Sequence, residues 1–277
     1  MNSAERLTSW ARQGNFVEAL PQLLEIAQRP GGARGPVWEA AAASIQIMSC
    51  LDRFAEAADL AESLIALDAP AGRELCNQDM PFDSAFLAAE VHAATAAAPR
   101  MAAAAAHVPV GRVLGERLRW LCDQLERRPV EEFLPGSLKP WGSPAQPLDG
   151  VIGAHLVERD YGDLASHEKR VVWQALAAAN DFPRARALAE ATGETPGQFA
   201  LCVWMAGWYA NQGEIERGAE MLLTAHGRWW PYAKWDALPH EIVLHPTLRL
   251  VATDRVRKHY LTRPIGPEAE RSGPRPG

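Results

Sequence analysis

One spacing recurs four times and narrows the fold more than any other feature: a large apolar residue just after a turn, then a very small residue three positions on. Phe16 precedes Ala19, Phe54 precedes Ala57, Phe182 precedes Ala185, and Ile215 precedes Gly218. The turn residues before them are Gly14 and Asn15, Asp52 and Arg53, Asn180, and Gly213. Three positions is close to one helical turn, so the large and the small residue share a helix face. A small residue there lets a second backbone approach closely while the large one fills the space beside it. The pattern predicts an all-α chain of stacked antiparallel helix hairpins.

Taken in order, Ser3 to Ile26 gives one such hairpin, with Leu7, Trp10 and Ala11 on one face and Phe16, Ala19, Leu20, Leu23 and Leu24 on the next. Pro21 removes a helix hydrogen bond, which predicts that the second helix begins late or kinks. Arg29 to Pro36, RPGGARGP, is a breaker, and Val37 to Asp68 repeats the hairpin 38 residues later, closed by Ala69, Pro70 and Gly72. Helical patterning through Phe86–Ala98 and Val110–Arg128 lacks the repeat spacing. Five prolines between Pro129 and Pro147 mark a linker or long surface loop. The expected organisation is therefore an N-terminal helical half (1–128), a Pro-rich linker (129–150), a C-terminal helical half with a cap (151–263) and a disordered tail (264–277). Within the cap, Val243–Leu250 is open to a short strand or an irregular docked segment, and Thr253 is placed to cap a last helix, Asp254–Tyr260.

The chain's 277 residues are enough to bury a core without disulfides or metals. No long uncharged apolar run predicts a membrane span, and the start, MNSAERLTSWARQG, has no apolar stretch of the signal-peptide kind. Cys50, Cys76, Cys122 and Cys202 are far apart and form no CxxC, which reads as reduced thiols in a cytoplasmic protein. A net charge of −6 argues against a general nucleic-acid binder.

The stretch from Cys202 to Ala225 carries the fullest version of the spacing: Ala206 at a helix crossing, Tyr209 as the aromatic of the first helix, Gly213 at the turn, Gly218 at the second crossing, and Ala225 near the end. The last two units lie 33 residues apart. This resembles a tetratricopeptide repeat, whose period is about 34 residues. The departures are Trp173 at a small position and Ser3 and Lys169 at aromatic ones, and units two and three are 128 residues apart. The resemblance implies an α-solenoid that presents a concave binding face. LPHEIVLHPTLRLVATDRVRKHYL resembles the closing segment of many bacterial repeat proteins, which implies an irregular C-terminal cap over the solenoid's apolar end.

Candidate chemistry is sparse. His240, Glu241 and His245 suggest a zinc protease, but its two histidines stand four apart on one helix face, whereas these stand five apart and are bracketed by Pro239 and Pro246. His259 is kept with His240 and His245 as a candidate metal or reactive cluster. Glu158, Asp160 and Asp163 supply paired carboxylates or, more simply, a charged helix end. Gly-rich phosphate loops and nucleophile elbows are missing from the sequence, and nothing in it implies a cofactor. Trp204 and Trp208, four apart, read as packing, while Trp229, Trp230, Tyr232 and Trp235 read as either cap packing or an aromatic wall. With Tyr209 on the repeat face, these aromatics are the expected binding residues.

The sequence thus points to a non-catalytic helical-repeat protein that binds a protein or peptide partner, in an adaptor, regulator or immunity role. The alternative is a small-molecule tailoring enzyme or metal-binding protein that uses the histidine cluster. Self-association into a homodimer stays open beside both.

Overall fold

The structure is a computed structural model that describes residues 2–29, 34–68, 103, 155–231 and 234–272. The chain forms two compact units, residues 1–133 with 230–277, and residues 134–229. Among the described residues, the first unit contains α1 (Ser3–Arg12), α2 (Phe16–Ala27), α3 (Arg34–Cys50) and α4 (Phe54–Asp68). The second contains a 3-10 turn (Tyr161–Asp163), α5 (Ser166–Ala178), α6 (Phe182–Thr192), α7 (Phe199–Asn211) and α8 (Ile215–His226). The chain then rejoins the first unit as α9 (Glu241–Leu244), α10 (Pro246–Val251), α11 (Asp254–Thr262) and α12 (Pro267–Ser272). No strand occurs among the described residues, so the fold is all-α there.

Each hairpin turn places a residue in the left-handed region: φ is 96° at Gly14, 59° at Asp52, 55° at Asn180 and 73° at Gly213. That geometry reverses the chain just beyond a helix and frees the next residue's N–H to reach back to an orphan carbonyl. Arg53 N–H donates to the Met48 carbonyl at 2.9 Å, Asp181 to Leu176 at 2.8 Å, and Glu214 to Tyr209 at 2.9 Å. In the first turn the side-chain amide of Asn15 does the equivalent, donating to the Trp10 carbonyl at 3.2 Å. The large apolar residue then opens the following helix, and Phe16, Ala19, Phe182 and Ala185 are all buried.

Each unit is built around one enclosed helix. Ala40 through Cys50 of α3 are all buried, because α1, α2, α4, α9 and α11 cover it from every side. Such a helix needs no polar face. Its serines are satisfied within the helix: the Ser44 and Ser49 hydroxyls donate to the carbonyls of Ala40 and Ile45, both at 2.7 Å. In the second unit α7 has this position, with Leu201 to Gly207 buried, α8 along its length and α5 beside it.

Several expectations change. Pro21 neither delays nor ends α2, which runs from Phe16 to Ala27. Pro21 is exposed, as is Val17, whose carbonyl is the one left without a helical donor, so water is at hand to satisfy it. Val243–Leu250 is no strand; it falls within two short helices separated at His245. The closing segment, placed by sequence with the C-terminal half, packs in the structure on the first hairpins: α11 against α2 and α3, α9 against α3, and α12 against α1. The tail from 264 is ordered through Ser272, since Ile265 is fully buried and Glu268 meets Arg12. The segments 74–128 and 129–150, apart from Ala103, lie outside the described residues.

Candidate functional site

Trp229 and Trp230 are adjacent in sequence but opposite in fate. Trp229 is 5 % exposed, whereas Trp230 is 54 % exposed, the most open of the described tryptophans. Tyr232 lies outside the described residues. Trp235 is half-buried and meets Trp38 of α3 edge-on, with ring centroids 5.6 Å apart and planes at 85°. Its indole Nε1 is buried and finds no acceptor among the described residues.

The backbone around Trp235 is held from inside the core. Arg12 Nη1 donates to the carbonyls of Lys234 at 3.1 Å and Asp236 at 2.8 Å. Gln46, buried in the middle of α3, accepts from the N–H groups of Ala237 at 2.6 Å and Leu238 at 3.3 Å and donates to the Asp236 carboxylate at 3.3 Å. The guanidinium of Arg12 also grips the Glu268 carboxylate through Nε at 2.9 Å and Nη2 at 3.1 Å, and Ser9 donates to the same carboxylate at 2.7 Å. Burial alone would raise the Glu268 pKa, but the hydrogen bonds from Arg12 and Ser9 and the Arg12 charge bring it below the ordinary carboxylate value. Residues 234–238 are thus braced against the core, while the Trp230 indole stands in solvent.

Tyr209 is placed differently from the expected binding face. It is 5 % exposed and packs edge-on against Phe182, with centroids 5.2 Å apart. Phe182 is also stacked on Trp208 at 5.1 Å and edge-on to Trp204 at 6.3 Å. Both indoles donate to the Asn180 side-chain oxygen, Trp208 at 3.1 Å and Trp204 at 3.4 Å. One turn residue therefore joins the α5–α6 hairpin to α7, and these aromatics form the core joint of the second unit. Burial pushes the Tyr209 phenol above its usual pKa, partly countered by Arg217 and Arg186.

The histidines take structural positions. His245 caps α10, its Nδ1 accepting from Thr247 N–H at 3.3 Å. His240 is buried, and His259 lies edge-on to Tyr260 at 6.4 Å, its pKa lowered by burial and by Arg263. These three do not come together, and no group of three His, Cys, Asp or Glu side chains able to hold a metal occurs among the described residues. Asp160 accepts from Gly162 N–H at 2.9 Å and so caps the 3-10 turn. Cys50 and Cys202 are buried thiols. Burial pushes the Cys202 thiol up, against the pull of Arg228, whose Nη1 lies 2.8 Å from the sulfur.

Three features escaped the sequence. In the second unit, Arg186 and Arg217 share Glu190 and Glu214 across α6 and α8, with Arg217 at 3.2 Å from Glu190 and 3.0 Å from Glu214. Also there, Trp173 donates to the Tyr161 hydroxyl at 2.9 Å, which donates to Glu194 at 3.0 Å, and burial is the main reason that the phenol is pushed up to about 12. In the first unit, a cleft of about 630 Å³ opens between the start of α1, the end of α2 and the start of α3. Its lining includes Arg6, Leu7, Gln22, Ile26, Arg29 and Val37. None of the described helices is long and apolar enough to cross a membrane. In comparisons with known proteins, the chain matches no family model, no curated protein and no solved structure.

Proposed function

We propose that this chain is a non-catalytic helical scaffold, of tetratricopeptide-like construction, that binds a protein or peptide partner in the cytoplasm. The observation that carries the reading is Trp230, an indole 54 % exposed, a few residues ahead of the stretch 234–238 that Arg12 and Gln46 hold to the core. An aromatic side chain gives a large contact area for few rotatable bonds, and tryptophan is enriched among residues that dominate interface energy. The four equivalent left-handed turns support the repeat construction. A net charge of −6 suits a basic partner and an accessory or immunity role. Pairing of two copies through the same indole is the homodimeric form of this reading.

The test is affinity capture from the native host with the full chain and with Trp230→Ala as bait, followed by sedimentation of each protein alone. Because Trp230 is exposed, the variant is expected to keep its fold by circular dichroism. A stoichiometric protein held by the wild type and weakened at least about tenfold in the variant is the expected result. Equal capture by both baits removes Trp230 from the binding surface and with it this reading.

A further inference from the structure

We infer that the cleft between α1, α2 and α3 is a small-molecule site for a free carboxylic acid with an apolar body. The apolar part of the lining is Leu7, Ile26, Pro36 and Val37, from three different helices. The polar half is what remains after the lining's own bonds are counted. Asn2 is engaged at both ends, its oxygen accepting from Glu5 N–H at 2.9 Å and its amide donating to Glu39 at 2.6 Å. Gln22 donates to the Glu18 carbonyl at 3.4 Å. Arg29 faces Glu25 at 3.5 Å. The Arg6 guanidinium, exposed at the cleft, makes no side-chain hydrogen bond or ion pair among the described residues.

Two arginines against Glu25 leave the lining with a net positive charge on a chain of net charge −6. Glu39, just outside, is turned to the Asn2 amide. An unengaged guanidinium beside apolar side chains in one cleft matches one negative group on a hydrocarbon body. A peptide main chain needs a run of free amide donors and acceptors, whereas Asn2 is engaged at both ends and the lining offers only Gln22 and Ser3 beside it. The volume falls within the roughly 300–1,000 Å³ of small-molecule clefts. This site is independent of the Trp230 surface, so either can fail without the other.

The experiment is a titration of the full-length, isotope-labelled protein with octanoate, followed by NMR shift changes, beside octanamide and a short peptide ending in a free leucine carboxylate. Octanoate is expected to shift amides of α1, α2 and α3 around the cleft. Octanamide should bind about three- to fivefold more weakly, the upper part of the range expected for an exposed ion pair. Arg6→Gln should weaken octanoate by a similar factor and leave octanamide unchanged, while Arg184→Gln on the other unit changes neither. Four results overturn the proposal: equal binding of octanoate and octanamide, no effect of Arg6→Gln, shifts confined to other parts of the chain, or tighter binding of the peptide than of octanoate.

Discussion

Truncating Glu268 to alanine should destabilise the first unit by about 3 kcal/mol. Its carboxylate accepts from Arg12 Nε, Arg12 Nη2 and Ser9, and the two charged side chains are only 8 % and 3 % exposed. Removing one partner of a buried pair costs about 3–5 kcal/mol, because the remaining charge has lost both water and its counterion. Arg12 keeps the carbonyls of Lys234 and Asp236, which places the loss at the lower end. Glu268→Gln retains the volume and one acceptor oxygen, so its cost should be nearer about 1.5–2 kcal/mol. The chain has two units, so a single unfolding curve is an unsafe measure. The assay is hydrogen exchange resolved by mass spectrometry across 234–238 and 265–269 during a urea series. Both segments should lose protection together in Glu268→Ala, while α7 and α8 keep theirs. A change below about 0.5 kcal/mol, the size of an ordinary surface substitution, would refute the buried-pair argument. The pH dependence gives an independent check. The folded pKa of Glu268 lies below its unfolded value near 4.5, so the stabilisation is fully present above that value and is lost as the pH falls through the depressed folded pKa. Wild type should thus lose more stability than Glu268→Gln on acidification below about pH 4.5.

Two further predictions concern turns. Asn180→Ala should cost about 2 kcal/mol, combining the left-handed φ with the lost acceptor for two indoles, and should shift tryptophan fluorescence; Asn180→Gly, free of the backbone strain, should cost less. An alanine costing no more than glycine would show that backbone geometry is not what selects Asn180. Gly14→Ala should destabilise by about 1–3 kcal/mol, since φ there is 96° and an added Cβ would meet the Thr262 carbonyl oxygen at 3.1 Å. A thermal midpoint equal to that of wild type would contradict it.

The hairpins were legible because everything that makes them is local. A turn residue, a large residue two positions on and a small one three beyond occur within a single stretch, and Gly14, Asp52, Asn180 and Gly213 all take the left-handed geometry such turns need. What the sequence could not reveal depends on distant partners. Nothing near Glu268 says that it meets Arg12, 256 residues away, and so the tail read as polar and unstructured. The α3 run AAAASIQIMSC showed no polar face, which marks a helix enclosed on all sides but not by what. The candidate site divided in the same way. Composition identified the tryptophan-rich segment, yet Trp229 and Trp230 share a sequence neighbourhood and differ in burial, because local pattern carries no sign of which side of an irregular segment faces the core. His245 drew attention as a metal ligand, while its position before Pro246, at the start of a helix, is the signal of the capping role it has.

The first unit is built from two stretches of chain that flank the second, and this sets an order of events at the ribosome. The hairpins of α1 to α4 emerge before the second unit, but α9, α11 and α12, which cover α3 and α1, are translated after it. Nascent chains ordinarily fold from the N-terminus onward, a domain at a time. Here the second unit, contiguous in the chain, completes its own contacts while the enclosed face of α3 still lacks part of its cover and Arg12 its carboxylate. That interval lasts until α12 has been made, and through it the apolar face of α3 lies open to premature association.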